Sequence, residues 1–181
     1  MTKRIVSIDI GYSNMAMVEI DTDFNTLTVC SVHKIDLKNF NENEVHKTMN
    51  KFINKYFNIF NLADIILIER QPPQGLNNIQ DILAYNYASK VKLICPRSMH
   101  KHFNISKLDY DFRKIQTIKI ANNYLCNYED YNKESRKHDI ADSFCLALYY
   151  IEINKPIATV IHDPLPDNVI QFIDSFKYNP F

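Results

Sequence analysis

Apolar positions in the first thirty-five residues come in short runs rather than helical stripes. Two segments rich in Val, Ile and Met, from Arg4 to Ile10 and from Asn14 to Ile20, flank Gly11-Tyr12-Ser13 and predict a β-hairpin. A third strand is expected from Thr26 to Ile35. From Glu42 to Phe60 the pattern changes: Val45, Met49, Phe52, Ile53, Tyr56 and Phe57 recur at three- and four-residue intervals, the stripe of an amphipathic helix packed on a sheet. The continuous apolar run from Ala63 to Glu69 is too short for a typical helix and reads as a strand buried on both faces, closed by Gln71-Pro72-Pro73-Gln74-Gly75. A helix capped by Asn77 or Asn78 should run to about Ser89, followed by a short strand from Val91 to Cys95 that Pro96 terminates. Helical spacing returns from about Phe112 to Cys126 and from about Lys137 to Ile153, with Asp111 and Ser135 as candidate caps. The chain is thus of the α/β class. Residues 1–155 read as one domain, and Pro156, Pro164, Pro166 and Pro180 mark a tail over 156–181 carrying at most one short helix, near 168–176.

Length and composition agree with this division. A chain of 181 residues holds one domain with a real core and is too short for two ordinary domains plus a linker. With 46% apolar and 23% charged residues it has the make-up of a folded globular protein. The opening MTKRIVSIDI meets an Asp after a short apolar run, so neither a signal peptide nor a membrane span is expected. Cys30, Cys95, Cys126 and Cys145 lie far apart in apolar segments without a CxxC pair, which suggests buried reduced thiols rather than disulfides or zinc ligands. The net charge is zero, yet between Lys90 and Lys119 there is a local surplus of six positive charges, with His100 and His102 interleaved. Such a one-sided surplus suits phosphate binding.

The chemistry is carried by acids placed where an acid is expensive. Asp9 sits within Ile8-Asp9-Ile10, Glu69 ends a buried strand, and Asp139 and Asp142 lie three apart on one face of an apolar helix. If the first and fourth strands are parallel neighbours, Asp9 and Glu69 emerge together at one sheet end, where the helix can bring the other two against them. Four carboxylates so close repel one another and stay partly protonated unless cations neutralise them, which implies bound divalent metal. Oxygen ligands select Mg²⁺, with Mn²⁺ as a substitute. Two ions per site, about 4 Å apart, would serve in-line phosphodiester hydrolysis, and a nearby lysine would add positive charge where the transition state becomes negative.

The segments SIDIGYSNMA, ILIERQPPQG and KHDIADSFCLALYY, in this order, resemble the poxvirus Holliday-junction resolvases, relatives of bacterial RuvC and of the fungal mitochondrial resolvases. The resemblance covers roughly residues 3 to 153 and implies an RNase H-like five-stranded mixed sheet flanked by helices. It assigns Asp9, Glu69, Asp139 and Asp142 to the metal-binding positions and adds a catalytic lysine. Lys114 matches the helix-start position, while Lys101 and Lys107 fit a loop facing the phosphate. Arg70, Gln71, Arg97, Lys101, Lys107, Arg113 and Lys119 become candidate DNA contacts, and Tyr12, Tyr85 and Tyr110 candidate stacking platforms. The implied partner is branched DNA, above all the four-way junction, bound by a homodimer in the host cytoplasm without membrane involvement. The helix from Asn77 to Ser89, with Ile79, Ile82, Leu83 and Tyr87, either forms the dimer surface or covers the sheet.

Other classes fit less well. Actin-like and Hsp70-like ATPases share a D-x-G strand, but they need glycine-rich phosphate loops, and the chain has only Gly11 and Gly75. An RNase H-like nuclease acting on RNA–DNA hybrid or a transposon end uses the same acids. A non-cleaving branched-DNA-binding protein gains nothing from repulsive carboxylates facing phosphate.

Overall fold

A computed structural model of the chain describes residues 1–156. Its strands are β1 (Lys3–Asp9), β2 (Met15–Thr22), β3 (Leu27–Ile35), β4 (Ile65–Glu69) and β5 (Val91–Ile94). They form one mixed sheet in the order β3-β2-β1-β4-β5. The β1–β2 and β2–β3 pairs are antiparallel, while β1–β4 and β4–β5 are parallel. Consequently β1, β3, β4 and β5 all end at the same edge of the sheet.

The helices are α1 (Val45–Lys55), α2 (Phe57–Leu62), α3 (Asn77–Asn86), α4 (Pro96–His102), α5 (Tyr110–Leu125), α6 (Glu129–Lys133) and α7 (Lys137–Ile153). Alternation along the strands divides the core into two layers. Ile5, Ala16, Val18, Ile20 and Leu67 meet α7, behind which α5 packs. Val6, Ile8, Met15, Met17, Ile66 and Ile68 meet α1, α2 and α3 on the other face. Both faces of β1 and β4 are therefore covered, which accounts for the unbroken apolar run of β4. At the centre of the α7 layer, buried Ser143 donates through Oγ to the Ser7 carbonyl at 2.8 Å, tying the helix to β1.

Several sequence expectations need correction. The helix expected from Glu42 to Phe60 is two helices, broken at Tyr56. Phe52, Tyr56 and Phe60 still share a face across the break, the Phe52 ring lying 5.6 Å from Phe60 and 5.2 Å from Tyr56. Neither Asn77 nor Asn78 caps α3: the Asn77 amide donates to the carbonyls of Pro72 and Pro73, at 2.9 and 3.1 Å. Asn78 Oδ1 accepts only from its neighbour Ile79. The cap of α5 is Asp109, which accepts from the Phe112 amide at 2.9 Å, and Asp111 falls in the first turn. α7 follows Arg136 without a side-chain cap, so Ser135 has no such role. Pro96 ends β5 but also opens α4, since a proline in the first turn forfeits no helical hydrogen bond. α6, anchored by fully buried Tyr131, has too few residues to show a period.

The apolar face of α3 covers the sheet. Ile79 and Leu83 are buried against it, while Ile82 and Tyr87 pack on the same cluster and stay partly exposed. All four cysteines are free thiols, but only Cys145 is buried. Cys30 lies on the edge strand β3, and Cys95 and Cys126 stand where elements end, positions that leave all three exposed. The tail beyond 156, with its expected helix at 168–176, lies outside the described residues.

Phe52 supports both helices of the broken pair and contacts Phe40 as well. Phe52→Ala should lower stability by about 3–5 kcal/mol, measured by urea unfolding.

Candidate active site

The parallel register of β1 and β4 pairs Ile8 with Ile68 and so sets Asp9 and Glu69 side by side at the common strand end. α7 crosses above them, and its i, i+3 pair Asp139 and Asp142 faces the same place. The four carboxylates line one cavity of about 210 Å³, together with Lys114 and Arg113 of α5. These are the four acids expected from the sequence, brought together by three separate elements.

Their protonation follows from their crowding. Burial is the main cause that holds the Asp9 carboxyl well above the usual carboxylate range, reinforced by the charges of Glu69 and Asp142. Burial raises the Glu69 carboxyl as well, opposed by its interaction with Asp9. Asp142 is pushed up to about 7, mainly by burial, with Glu69 and Asp139 acting in the same direction and the Thr117 hydroxyl against it. Asp139 goes the other way: burial alone would raise it, but hydrogen bonds from Lys34 and Arg136 bring it below its ordinary value.

The cationic wall is built from α5. Lys114 Nζ lies 4.1 Å from the centre of the Tyr110 ring and 2.9 Å from His138 Nε2. Burial, and then the charges of Lys114, Arg136 and Lys34, depress the His138 pKa. The ring is therefore neutral and accepts from the Lys114 ammonium. Of the three candidate lysines, only Lys114 lines the carboxylate cavity. Lys101 and Lys107 line an adjoining groove with Arg97, and this groove shares His100 and Arg113 with the cavity. Arg113 is fixed at the junction, donating to the Leu108 carbonyl at 2.6 Å.

The remaining candidates lie elsewhere. Gln71 is used within its own loop, its amide group donating to the Glu69 carbonyl and its oxygen accepting from the Leu76 amide. Arg70 is exposed beside Glu69 and lines neither cavity nor groove. Lys119 is exposed but five residues beyond Lys114, about 140° round α5, and also lines neither. Tyr110 lines the cavity, Tyr12 packs on the α1 and α3 layer, and Tyr85 is exposed on α3. Sequence reasoning missed Lys34, Arg136 and His138. His138 stands inside the KHDIADS segment and was legible there, whereas Lys34 is brought in only by strand register.

The donor set fits a hard divalent cation. Every pocket acid offers oxygen, and the raised Asp9, Glu69 and Asp142 are what buried, crowded carboxylates show where no metal charge balances them. One acid departs from the pattern, because Asp139 is ion-paired to Lys34 and Arg136. Among the described residues no three acidic, imidazole or thiol side chains already converge as ligands around one point.

A pH dependence follows from Asp142. Its folded value of about 7 lies above its ordinary 3.8, so the folded state binds this proton more tightly than the unfolded chain does. Stability is then greatest below pH about 4 for this group and falls as pH rises to about 7. Thermal unfolding in chelator should show the melting temperature dropping from pH 5 to pH 7.5, and Asp142→Asn should remove much of the drop.

The Holliday junction resolvase of fowlpox virus (strain NVSL) is 29% identical over 157 residues, spanning 82% of this chain and 92% of that protein. The crystal structure of fowlpox virus resolvase with its substrate Holliday junction DNA superposes with a TM-score of 0.62 at 25% identity, covering 83% of this chain and 97% of that one. RuvC of Thermus thermophilus has a TM-score of 0.57 at 10% identity, covering 86% and 98%, and bears on the fold alone. The architecture is thus the RNase H-like fold of RuvC-type resolvases. The family described as poxvirus A22 protein matches residues 3–155, nearly the whole described chain, and the protein belongs to that family.

Proposed function

We propose that this protein is a structure-specific endonuclease that resolves four-way DNA junctions by paired, metal-dependent phosphodiester hydrolysis. The observation that carries this reading is the convergence of Asp9, Glu69, Asp139 and Asp142 on one cavity beside a cationic groove. Membership of a family whose fowlpox relative is a Holliday junction resolvase supports the choice of substrate. No described helix is long and apolar enough to cross a membrane. The setting we assign, from the poxvirus relationship, is recombination and concatemer resolution in the host cytoplasm.

Asp9, Glu69, Asp142 and Asp139 would hold Mg²⁺ or Mn²⁺, two ions per site. Bound there, the metal supplies activation of the attacking water and stabilisation of the leaving 3′ oxygen. Lys114 presents its ammonium to the scissile phosphate, where negative charge accumulates in the transition state. Neutral His138 and the Tyr110 ring hold that ammonium in place. Arg97, Lys101, Lys107 and Arg113 take successive phosphates of the strand leading away from the cavity, interactions that follow backbone shape rather than base sequence. A junction has two strands to cut in symmetric positions, which suits a two-fold homodimer.

The deciding experiment compares a labelled four-way junction, a linear duplex and an RNA–DNA hybrid in Mg²⁺, with wild type and Asp142→Asn. Symmetric nicking of the junction alone, abolished in Asp142→Asn while junction binding persists, is the expected result. Cleavage of the hybrid alone would overturn the substrate, and cleavage of nothing would leave a binding protein. Lys114→Ala should reduce kcat by about 10²- to 10³-fold. Replacing Arg97, Lys101 and Lys107 together by Ala should flatten the slope of log K against log salt by roughly 0.9 for each phosphate no longer neutralised, read by fluorescence anisotropy.

A further inference from the structure

The ion pair of Lys34 with Asp139 has no part in the chemistry above. A row of residues runs across the α7 face of the sheet near its common end. β1 pairs Asp9 with Ala16, and β2 pairs Ala16 with Lys34. Asp9 and Lys34 therefore share a face two strands apart, with backbones separated by about 10 Å. The residue between them is Ala, which leaves room for the first turn of α7 and its Asp139.

Lys34 is held at two points. Its Nζ donates to the Asn14 carbonyl at 2.9 Å and to Asp139 Oδ2. The pair is largely shielded, with the two side chains only 14% and 9% exposed. Arg136 Nε donates to the same Oδ2 at 3.1 Å, whereas the neutral His138 ring beside Oδ1 adds no positive charge. Among the described residues, Asp9, Glu69 and Asp142 have no such salt bridge. Asp139 is thus the one carboxylate of the four whose charge is already balanced by protein cations. An incoming divalent ion must take an oxygen from one of these donors. Lys34 can release it because the Asn14 carbonyl remains as its second anchor, whereas Arg136 sits three residues away on the same chain segment and approaches from a side that is half exposed.

We infer that Lys34 is an internal counter-ion for Asp139, a positioning residue that holds this carboxylate in the metal-free protein, yields it to the metal, and thereby sets the metal affinity of the pocket. The inference rests on the reading of the pocket as a metal site. It explains how four acids are kept together before metal arrives: one is neutralised by Lys34, and burial shifts the other three toward their uncharged form. It also means that the pocket binds metal less tightly than its four carboxylates would without Lys34.

The test measures Mn²⁺ binding from the electron paramagnetic resonance of the free ion, without DNA, so that it does not depend on cleavage. Lys34→Met should bind Mn²⁺ tighter by on the order of tenfold, the scale of one exchanged partly buried ion pair. Lys34→Arg, which keeps the charge, should stay near wild type. Lys34→Gln, which keeps a donor for Asn14 without the charge, should behave like Lys34→Met and serves if the latter does not fold. In an Asp139→Asn background the effect of Lys34→Met should vanish, whereas a general loss of positive field would persist there. Unchanged or weaker Mn²⁺ binding by Lys34→Met and Lys34→Gln, with wild type binding normally, overturns this inference and leaves the metal site standing. Absence of Mn²⁺ binding by wild type overturns the metal site and this inference with it.

Discussion

Carboxylates repel, and burying them near one another is costly unless protons or cations balance the charge. Here the balance is divided among several devices. Burial and mutual repulsion raise Asp9, burial raises Glu69, Asp142 is raised to about 7, and Asp139 is matched by Lys34 and Arg136. The rest of the architecture serves this arrangement. Parallel pairing of β1 with β4 puts two acids at one edge, and a long apolar helix fixed by the Ser143–Ser7 hydrogen bond delivers the other two. Asp139 stands in the first turn of α7, where the positive end of the helix dipole favours a negative group.

The same edge organises the positive charge. A net charge of zero conceals it, because many cations elsewhere are matched to acids, such as Lys3 to Asp64 and Arg4 to Asp21. Arg97, Lys101 and Lys107 have no acidic partner among the described residues and line one groove. Arg113, anchored by a backbone carbonyl, connects that groove with the acids. A polyanion entering the groove meets unpaired cations first and the carboxylates last.

Much of this is legible in the sequence. The hairpin, the doubly buried β4 and the D-x-x-D face of α7 all show in short-range pattern, because each side chain there answers to one local period. The parts that were missed depend on distant chain. Asn77 leaves the capping role because two proline-loop carbonyls compete for it. Lys34 enters the site through two successive strand pairings and a helix from the other end of the sequence, a relation no local period encodes. The α3 stripe was correctly seen as apolar, but amphipathicity does not say whether the covered surface belongs to the same chain.

The central claim is that these carboxylates are arranged for a divalent cation. Anomalous X-ray scattering from crystals soaked in Mn²⁺ tests it most directly. The account predicts manganese peaks in the cavity bounded by Asp9, Glu69 and Asp142, with Asp139 turned from Lys34 toward the ion. A cavity without manganese, its Lys34–Asp139 pair unchanged while the ion binds elsewhere, would contradict it.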